Sequence, residues 1–427
     1  MSDLFAELEW RGFVSHATQH IRRHLTEGRR TVYCGFDPTA PSLQLGNLMP
    51  LMLLRHFQLA GHKPIVLMGG GTGLIGDPSG KRSERPLLSR EQIRENLQRQ
   101  RDQMQRLLDF DTKEIRALVR NNADWLANEK VPLALVDFLR DVGKHFTVNV
   151  MMQKESVKAR LDTGISYTEF SYMLLQAYDF LHLYRKEACT IQVGGSDQWG
   201  NITAGIDLIR RVEAGEAHGL VAPLITTASG AKFGKTEGGA IWLDPALTSP
   251  YQFYQFWVNT DDRDVAGYLK LFSLKPRDEI TALIKRGKKD PAAREAQRTL
   301  AAEVTELIHG DAARNAMVAS DILFGQFDPH NASGRALETL AQEIPTTTID
   351  GQDALTLVDA LVRSGLAKSK SEARRAIEQG GIYLNQEREK NVERRIEPGD
   401  WLADHSLLLR KGKKDYALIR TGGTPVA

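Results

Sequence analysis

The chain has 427 residues, more than one hydrophobic core of usual size accommodates, so two or three domains are expected. Hydrophobic content of 41% and charged content of 26% are those of an ordinary globular protein, and two cysteines, Cys34 and Cys189, exclude a disulfide framework or a four-cysteine zinc site. No apolar run approaches the roughly 20 residues of a membrane helix, and the acidic start (Asp3, Glu7, Glu9) is unlike a signal peptide, so a cytoplasmic protein with no membrane partner is expected.

The elements follow in order. Thr31 to Phe36 (TVYCGF) reads as a short buried strand ending at a glycine. A helix follows from about Asn47 to Ala60, with Pro50 tolerable in its first turn. Lys63 to Met68 (KPIVLM) is a second strand running into Gly69-Gly70-Gly71. Ser89 and Gln92 form a capping box for a helix whose apolar face is Ile93, Leu97, Met104, Leu107 and Leu108. Strands are expected near Ile115 to Val119 and Thr190 to Val193. Strand, glycine turn, helix, repeated, is the pattern of a parallel sheet covered by helices: an α/β, Rossmann-like domain.

Beyond Phe233 the pattern becomes helical from Tyr251 to Phe324, and Pro329 to Gly351 reads as an irregular linker. The tail is a compact α+β unit. A short helix through Leu357 and Leu361 ends at Gly365, and Ser369 and Glu372 box a helix from Lys370 to Gln379. Strand signals lie at Ile382 to Leu384, Leu407 to Leu409 and Tyr416 to Ile419. From Leu361 to Ala427 there are 14 Lys and Arg against 9 Asp and Glu, a net of +5; the whole chain is +2, so the rest carries −3. That asymmetry points to nucleic-acid contact by the tail, although a solvated charged surface explains the charge equally well.

Four clusters carry chemistry. Gly35-Phe36-Asp37-Pro38-Thr39 with Gln44-Leu45-Gly46-Asn47 sits where a strand hands over to a helix N-terminus, which presents free N–H groups and attracts phosphate. Lys232-Phe233-Gly234-Lys235-Thr236 can fold over a polyphosphate and offset charge developing on a leaving pyrophosphate. Together they define an ATP site split between Tyr33–Asn47 and Lys232–Thr236. Gly194 to Asn201 (GGSDQWGN) lets a ligand approach the backbone and offers Asp197 to a ribose hydroxyl. Tyr172, Gln176 and Asp179, at i, i+4 and i+7, share one helix face and suit a buried polar ligand. Each cluster taken alone is also explained by an ordinary turn, a solvated basic loop or a half-exposed helix.

Taken together the clusters resemble one family. GFDPT with QLGN is similar to the first signature of class I aminoacyl-tRNA synthetases, and KFGKT to their second, lysine-bearing signature. GGGTGLIGDPSG (69 to 80), RDVGKHFTVN (140 to 149), GISYTEFSYMLLQAYDF (164 to 180) and GGSDQWGN resemble bacterial tyrosyl-tRNA synthetases in particular, from about Trp10 to Asn259, and the tail resembles an S4-type RNA-binding domain. The resemblance implies L-tyrosine, ATP with Mg²⁺ and tRNA(Tyr) as substrates, no protein-bound metal, and a homodimer with the 125 to 180 region near its interface. It divides the chain into a catalytic domain (1–228), the lysine loop with a helical domain (229–328), a linker (329–351) and the S4-like domain (352–427).

Residue by residue, the resemblance places Tyr33 and Asp179 on the substrate phenol, Asp77, Tyr172 and Gln176 around its ammonium group, and Gln198 near its carboxylate. Gly35, Asp37, Gly46, Gly195, Asp197 and Lys235 match the nucleotide contacts. Thr39, Gln44, Asn47, Lys81, Arg85, Lys232, Lys235 and Thr236 match the groups that hold the reacting phosphates. The tail cations Lys370, Arg374, Arg375, Lys411, Lys413 and Lys414 are expected on tRNA phosphates. Two features depart from the family pattern. Gln44 and Asn47 replace histidines, keeping NH₂ donors but unable to carry positive charge. Asn385-Gln386 stands where Asn-Gly would favour a tight hairpin turn. A tryptophan-specific relative and an RNA-binding paralogue without catalysis remain alternative readings.

Overall fold

A computed structural model describes residues 3–80, 87–161, 164–236, 238–350, 355–403 and 405–422. The chain divides into two units, Met1–Thr248 with Asp261–Ala296, and Ser249–Thr260 with Gln297–Ala427.

The first unit is built on six strands: β1 (His16–Ala17), β2 (Thr31–Phe36), β3 (Lys63–Met68), β4 (Leu118–Asn121), β5 (Cys189–Gly195) and β6 (His218–Ala222), in the order β1-β6-β5-β2-β3-β4. β2 to β6 pair in parallel, and β1 is an antiparallel edge on β6. β3 is buried from Pro64 onward, which is why it reads as a continuous apolar run rather than an alternating one; all of β6 is buried too. The strand order reverses between β2 and β5. Ligands of open parallel sheets bind at such a reversal, outside the carboxyl ends of the strands.

Helices fill the connections: α1 (Leu4–Arg11), α2 (Ile21–Thr26), α3 (Leu45–Leu59), α4 (Arg90–Met104), α5 (Ala123–Leu126), α6 (Leu135–Asp141), α7 (Val148–Met152), α8 (Glu155–Leu161), α9 (Tyr167–Glu187) and α10 (Trp199–Glu213). Two short strands, β7 (Lys235–Thr236) and β8 (Gly239–Ala240), form a hairpin in the lysine loop. The chain then enters the second unit with α11 (Pro250–Val258), and α12 (Val265–Phe272) and α13 (Arg277–Lys289) belong again to the first. α3 starts at Leu45, two residues earlier than its sequence suggests. Pro50 therefore sits in the second turn, where its missing N–H leaves the Gly46 carbonyl without a helical partner. The Ser89 box forms as read: Gln92 N–H donates to Ser89 Oγ at 3.2 Å and Ser89 N–H to Gln92 Oε1 at 3.0 Å.

The second unit continues with α14 (Glu295–His309), α15 (Ala312–Leu323), α16 (Gly334–Glu343), β9 (Thr346–Ile349), α17 (Leu357–Arg363), α18 (Lys370–Glu378), β10 (Ile382–Leu384), β11 (Glu387–Glu389), β12 (Ser406–Lys411) and β13 (Asp415–Thr421). Its sheet runs β11-β10-β12-β13-β9, with only β9 parallel to its neighbour. The described part of the expected linker, residues 329–350, forms regular elements. Ser333 caps α16, which buries Ala336, Leu337 and Leu340, and the β-branched run Thr346–Thr348 pairs with β13. Ala319, Ile322, Leu337 and Leu340 share one core with Leu402, Leu408 and Leu418, so the helices and the tail sheet are one body rather than two joined by a tether. The boundary expected at 229 also moves: the lysine loop, α12 and α13 group with the parallel sheet, because Phe233 packs on α12.

The β10–β11 turn forms despite its sequence. Asn385 and Gln386 take φ of 47° and 73°, the left-handed pair a two-residue hairpin needs. The strain at Gln386 is offset by position-specific bonds: its amide donates to the Ile322 carbonyl at the end of α15, and Asn385 Oδ1 accepts from Leu408 N–H at 3.0 Å.

Candidate active site

A cleft of about 610 Å³ opens at the carboxyl ends of β2 and β5, the reversal point of the sheet. It is lined from β2 by Tyr33 and Gly35, from the turn that follows by Asp37 and Thr39, and at the start of α3 by Gln44, Gly46 and Asn47. α9 contributes Tyr172, Gln176 and Asp179, the glycine turn after β5 contributes Gly195, Asp197 and Gln198, and Asp77, Lys232 and Lys235 complete the wall. Four sequence clusters spread over some two hundred positions thus meet in one place. Thr236 is exposed and is not part of the lining. Lys81 and Arg85 lie outside the described residues.

At the deep end, Tyr33 is 1% exposed and its hydroxyl is buried without a hydrogen-bond partner. Burial, reinforced by the charge of Asp179, drives its pKa well above the ordinary tyrosine value, so it stays a phenol. Asp179 is also buried. Its carboxylate accepts from Asn122 Nδ2 at 2.9 Å and Trp125 Nε1 at 2.7 Å. Burial pushes its pKa up to about 7, those two bonds pull it down, and the charge of Asp37 adds to the rise. Asn122 also donates to Thr72 Oγ1 at 2.9 Å, and Thr72 donates to Asp37 Oδ1 at 2.8 Å. Tyr172 O–H donates to the other Asp37 oxygen at 2.8 Å. One continuous network therefore joins the two ends of the α9 polar face, from Asp179 to Tyr172.

A second chain of bonds crosses the cleft mouth. Gln198 Nε2 donates to Asp77 Oδ2 at 2.6 Å, Gln176 Nε2 to Gln198 Oε1 at 3.2 Å, and Asn201 Nδ2 to Gln176 Oε1 at 3.0 Å. Both glutamines are thereby fixed in orientation before any ligand arrives. Asp197 has its pKa raised by burial and by Asp77, and the ammonium of Lys232 works against that rise. At Gly195 a Cβ would stand 2.5 Å from Asp197 Oδ1, so glycine there makes room for the Asp197 carboxylate.

The two phosphate-type clusters are tied by backbone. Leu45 N–H donates to the Ile241 carbonyl at 2.9 Å and Leu243 N–H to that of Leu43 at 2.9 Å, so the return limb of the lysine loop is laced to the start of α3. Asn47 Oδ1 accepts from Gln44 N–H at 2.9 Å, which commits its oxygen to the helix cap and leaves the NH₂ as its remaining donor. Asn122, Trp125, Thr72 and Asn201 are not singled out in the sequence; Thr72 and Asn201 lie in quoted motifs, Asn122 and Trp125 in none. Among the described residues no group of three or more His, Cys, Asp or Glu side chains could hold a metal ion.

In the tail, Arg374, Arg375, Lys413 and Lys414 are exposed. Lys411 is not: its ammonium donates to the Leu366 carbonyl at 2.9 Å and to Glu372 Oε1 at 2.7 Å, pinning β12 to α18. Lys370 is exposed and pairs with Asp359 at 2.7 Å.

Residues 25–325 match the family model described as tRNA synthetases class I (W and Y), the class that this sheet and cleft define, and residues 336–419 match the tyrosine–tRNA ligase SYY-like C-terminal domain. The tyrosine–tRNA ligase of Anaeromyxobacter dehalogenans strain 2CP-1 is 52% identical over 98% of this chain and 100% of its own length. That of Geobacillus stearothermophilus is 51% identical over 98% of this chain and 99% of its own. Among solved structures, a C-terminally truncated mitochondrial tyrosyl-tRNA synthetase of Aspergillus nidulans superposes with a TM-score of 0.68 at 31% identity, covering 76% of this chain and 95% of that one. The chain belongs to the tyrosine–tRNA ligase branch of the class I tRNA synthetase family.

Proposed function

We infer that this chain is an aminoacyl-tRNA ligase that joins L-tyrosine to ATP, releasing pyrophosphate, and then passes the tyrosyl group from the adenylate to the 3′ end of tRNA(Tyr). The observation that carries the amino-acid choice is the unpartnered Tyr33 hydroxyl, buried at the end of the cleft that Asp179 also lines. A substrate phenol supplies an acceptor for Tyr33 and a further donor for Asp179; phenylalanine leaves the Tyr33 hydroxyl unpaired, at a cost of about 1–3 kcal/mol, and Asp179 with its two protein donors alone.

Asp77, Gln176 and the Tyr172 oxygen, whose proton is committed to Asp37, are suited to the ammonium group. The substrate carboxylate then attacks the α-phosphorus of ATP: the new O–P bond forms as the bond to the bridging oxygen of pyrophosphate breaks. Thr39, the amides of Gln44 and Asn47, and Lys232 and Lys235 offset the charge growing on the leaving group, with no covalent enzyme intermediate. Lys81 and Arg85 are assigned to the same phosphates by resemblance alone. Mg²⁺ is proposed to enter with ATP, held chiefly by the phosphates of the substrate and by water. Tyrosine-dependent ATP–pyrophosphate exchange by the pure protein tests this reading. No exchange at saturating substrates would sink it, and exchange driven by tryptophan alone would reverse the choice of amino acid.

The tail is the tRNA-binding module in this reading, with Arg374, Arg375, Lys413 and Lys414 on the phosphates. Reversing Arg374 and Arg375 to glutamate together is expected to lower tRNA charging at least about tenfold at moderate salt and to leave pyrophosphate exchange unchanged. Charging kinetics at two salt concentrations check it; equal charging by the variant would refute the assignment. Point changes are a cleaner test than truncation near Gly351, which would strip Leu402, Leu408 and Leu418 from the core they share with the helices.

The homodimer is assigned to the segment around α6 and α7. Val131, Leu135 and Val136 are 73%, 69% and 76% exposed, with Val148 and Val150 also open. So many exposed branched aliphatics in one segment fit a protein interface better than solvent. Val136→Glu with Val148→Glu is expected to give a monomer in analytical ultracentrifugation at micromolar concentration; an unchanged dimer would place the interface elsewhere. The reducing cytoplasm is the assigned compartment, in keeping with two buried free thiols.

A further inference from the structure

In the described part of the lysine loop, from Lys232 to Thr236, the one buried side chain is Phe233; Lys232, Lys235 and Thr236 are exposed. The position of the two lysines therefore depends on where Phe233 is seated. Its ring stacks on Phe272 with centroids 5.4 Å apart and planes 12° apart, and meets Tyr268 edge-on at 5.0 Å. Both partners come from α12, one helical turn apart. The approach to the loop rests on the other end of the same helix, where Ala228 N–H donates to Asp264 Oδ2 at 2.9 Å. On the opposite side Gly234, with φ of 77°, lies so close to α3 that a Cβ would stand 3.0 Å from Leu45 Cβ. The loop is thus held between α3 and α12, and α12 carries the one buried side chain of its described part.

α12 is fixed in turn by Arg11. This last residue of α1 is 4% exposed, and its guanidinium donates to the carbonyls of Lys270 at 2.9 Å, Ser273 at 2.7 Å and Lys275 at 2.9 Å. A helix end leaves such carbonyls without N–H partners and favours a cation beside them. Glu7, one turn back on α1, holds the guanidinium at 2.7 Å. Trp10 adds a second tie, with the Lys270 ammonium 5.2 Å and the Arg277 guanidinium 4.8 Å from its ring centre. Arg11 lines no part of the cleft.

We propose that Arg11 is a positioning residue for amino-acid activation: by capping the carboxyl end of α12 it fixes the seat of Phe233, and so sets where Lys232 and Lys235 stand at the cleft. The proposal rests on the functional reading above. It separates activation from amino-acid binding, because Tyr33 and Asp179 are held by β2 and α9 and not by α12.

The test uses full-length protein carrying Arg11→Gln, Arg11→Lys or Phe272→Leu, with two readouts: exchange kinetics, and the rate of tryptic cleavage after Lys232 and Lys235 in ligand-free protein. Arg11→Gln is expected to lower the kcat of exchange roughly tenfold or more, to leave the tyrosine KM within about twofold, and to speed cleavage of the loop. Arg11→Lys recovers only part of the loss, since one ammonium cannot serve three carbonyls set around a planar fork. Phe272→Leu reproduces the pattern in milder form and decides the matter if Arg11→Gln does not fold. A variant with lowered Tm but wild-type kcat and cleavage would make Arg11 a stabilising anchor only and overturn the proposal. Wild-type protein without tyrosine-dependent exchange would sink the functional reading instead; cleavage rates then judge the Arg11–loop linkage alone, and unchanged rates overturn it.

Discussion

Replacing Lys235 by alanine is expected to lower the turnover of tyrosine-dependent ATP–pyrophosphate exchange by about 10²–10³-fold, the loss usual for one preorganised donor aimed at developing charge, and to leave the tyrosine KM nearly unchanged. The reason is geometric. Lys235 stands on the hairpin of β7 and β8, whose return limb is bonded to the backbone of Leu43 and Leu45, so its side chain is carried to the α3 end of the cleft and away from Tyr33. In the proposed reaction an ammonium there, exposed in the free enzyme, meets a polyphosphate in the complex. Its contribution is therefore made mainly when charge moves onto the leaving pyrophosphate, which is the condition for an effect on kcat and not on KM. Lys235 is a cleaner choice than Lys232. The Lys232 ammonium also restrains the pKa of Asp197, already raised by burial and by Asp77, so removing it would alter a second ionisation. Single-turnover formation of the adenylate, followed at saturating tyrosine, measures the effect directly. A Lys235→Ala enzyme within about threefold of wild type in that step would remove the loop from the phosphate-binding machinery.

What could be read from the sequence were features whose cause is local. TVYCGF and KPIVLM are buried strands in a parallel sheet, and their apolar runs say so without help. The polar face of α9 is visible because 3.6-residue periodicity puts Tyr172, Gln176 and Asp179 together, and the cleft lies on that face. Features that depend on distant meetings were not legible. Asn122 and Trp125 follow β4 in a polar stretch without periodicity, and their meaning comes from Asp179, 57 and 54 positions away. Arg11 looks like a surface arginine at the end of an amphipathic helix until carbonyls some 260 positions later close around it. The stretch from Pro329 reads as a linker on Asn331, Ser333, Gly334 and the run Pro345–Thr348, yet Ser333 caps a helix there and the threonine run pairs as a strand. Glycine and proline report what a backbone permits, and the partner strand decides what it does. Lys411 fails for the opposite reason: a charge in a basic cluster reads as exposed, and its bonds to Glu372 and Leu366 appear only when β12 meets α18.

Asp179→Asn is expected to raise the tyrosine KM roughly 10- to 100-fold, the range for losing a hydrogen bond to a charged buried acceptor, and to abolish a pH dependence that the wild type shows. Wild-type Asp179 has its pKa pushed up to about 7 by burial. It accepts the substrate phenol O–H best as carboxylate, beside the bonds from Asn122 and Trp125; protonation weakens it as an acceptor and adds an O–H that competes as a donor. Tyrosine affinity is therefore full above about 7 and falls as the pH drops through that value, by at most about tenfold per pH unit below it. The same shift bears on stability with its own sign. The folded-state pKa lies above the ordinary 3.8, so the folded chain holds this proton more tightly than the unfolded one. Asp179 therefore makes the fold progressively less stable as the pH rises from about 4 to about 7, and the substrate's phenol supplies the bond that relieves the buried charge. In the asparagine variant one oxygen becomes an NH₂ group that must face either the Asn122 amide or the Trp125 indole, donor against donor, and no proton is left to titrate. The measurement is tyrosine KM in pyrophosphate exchange from pH 5.5 to 8.5 for both proteins. A flat wild-type profile, or a variant that keeps the wild-type slope, would take Asp179 off the phenol and leave the unpartnered Tyr33 hydroxyl as the only group at the end of the cleft that distinguishes tyrosine from phenylalanine.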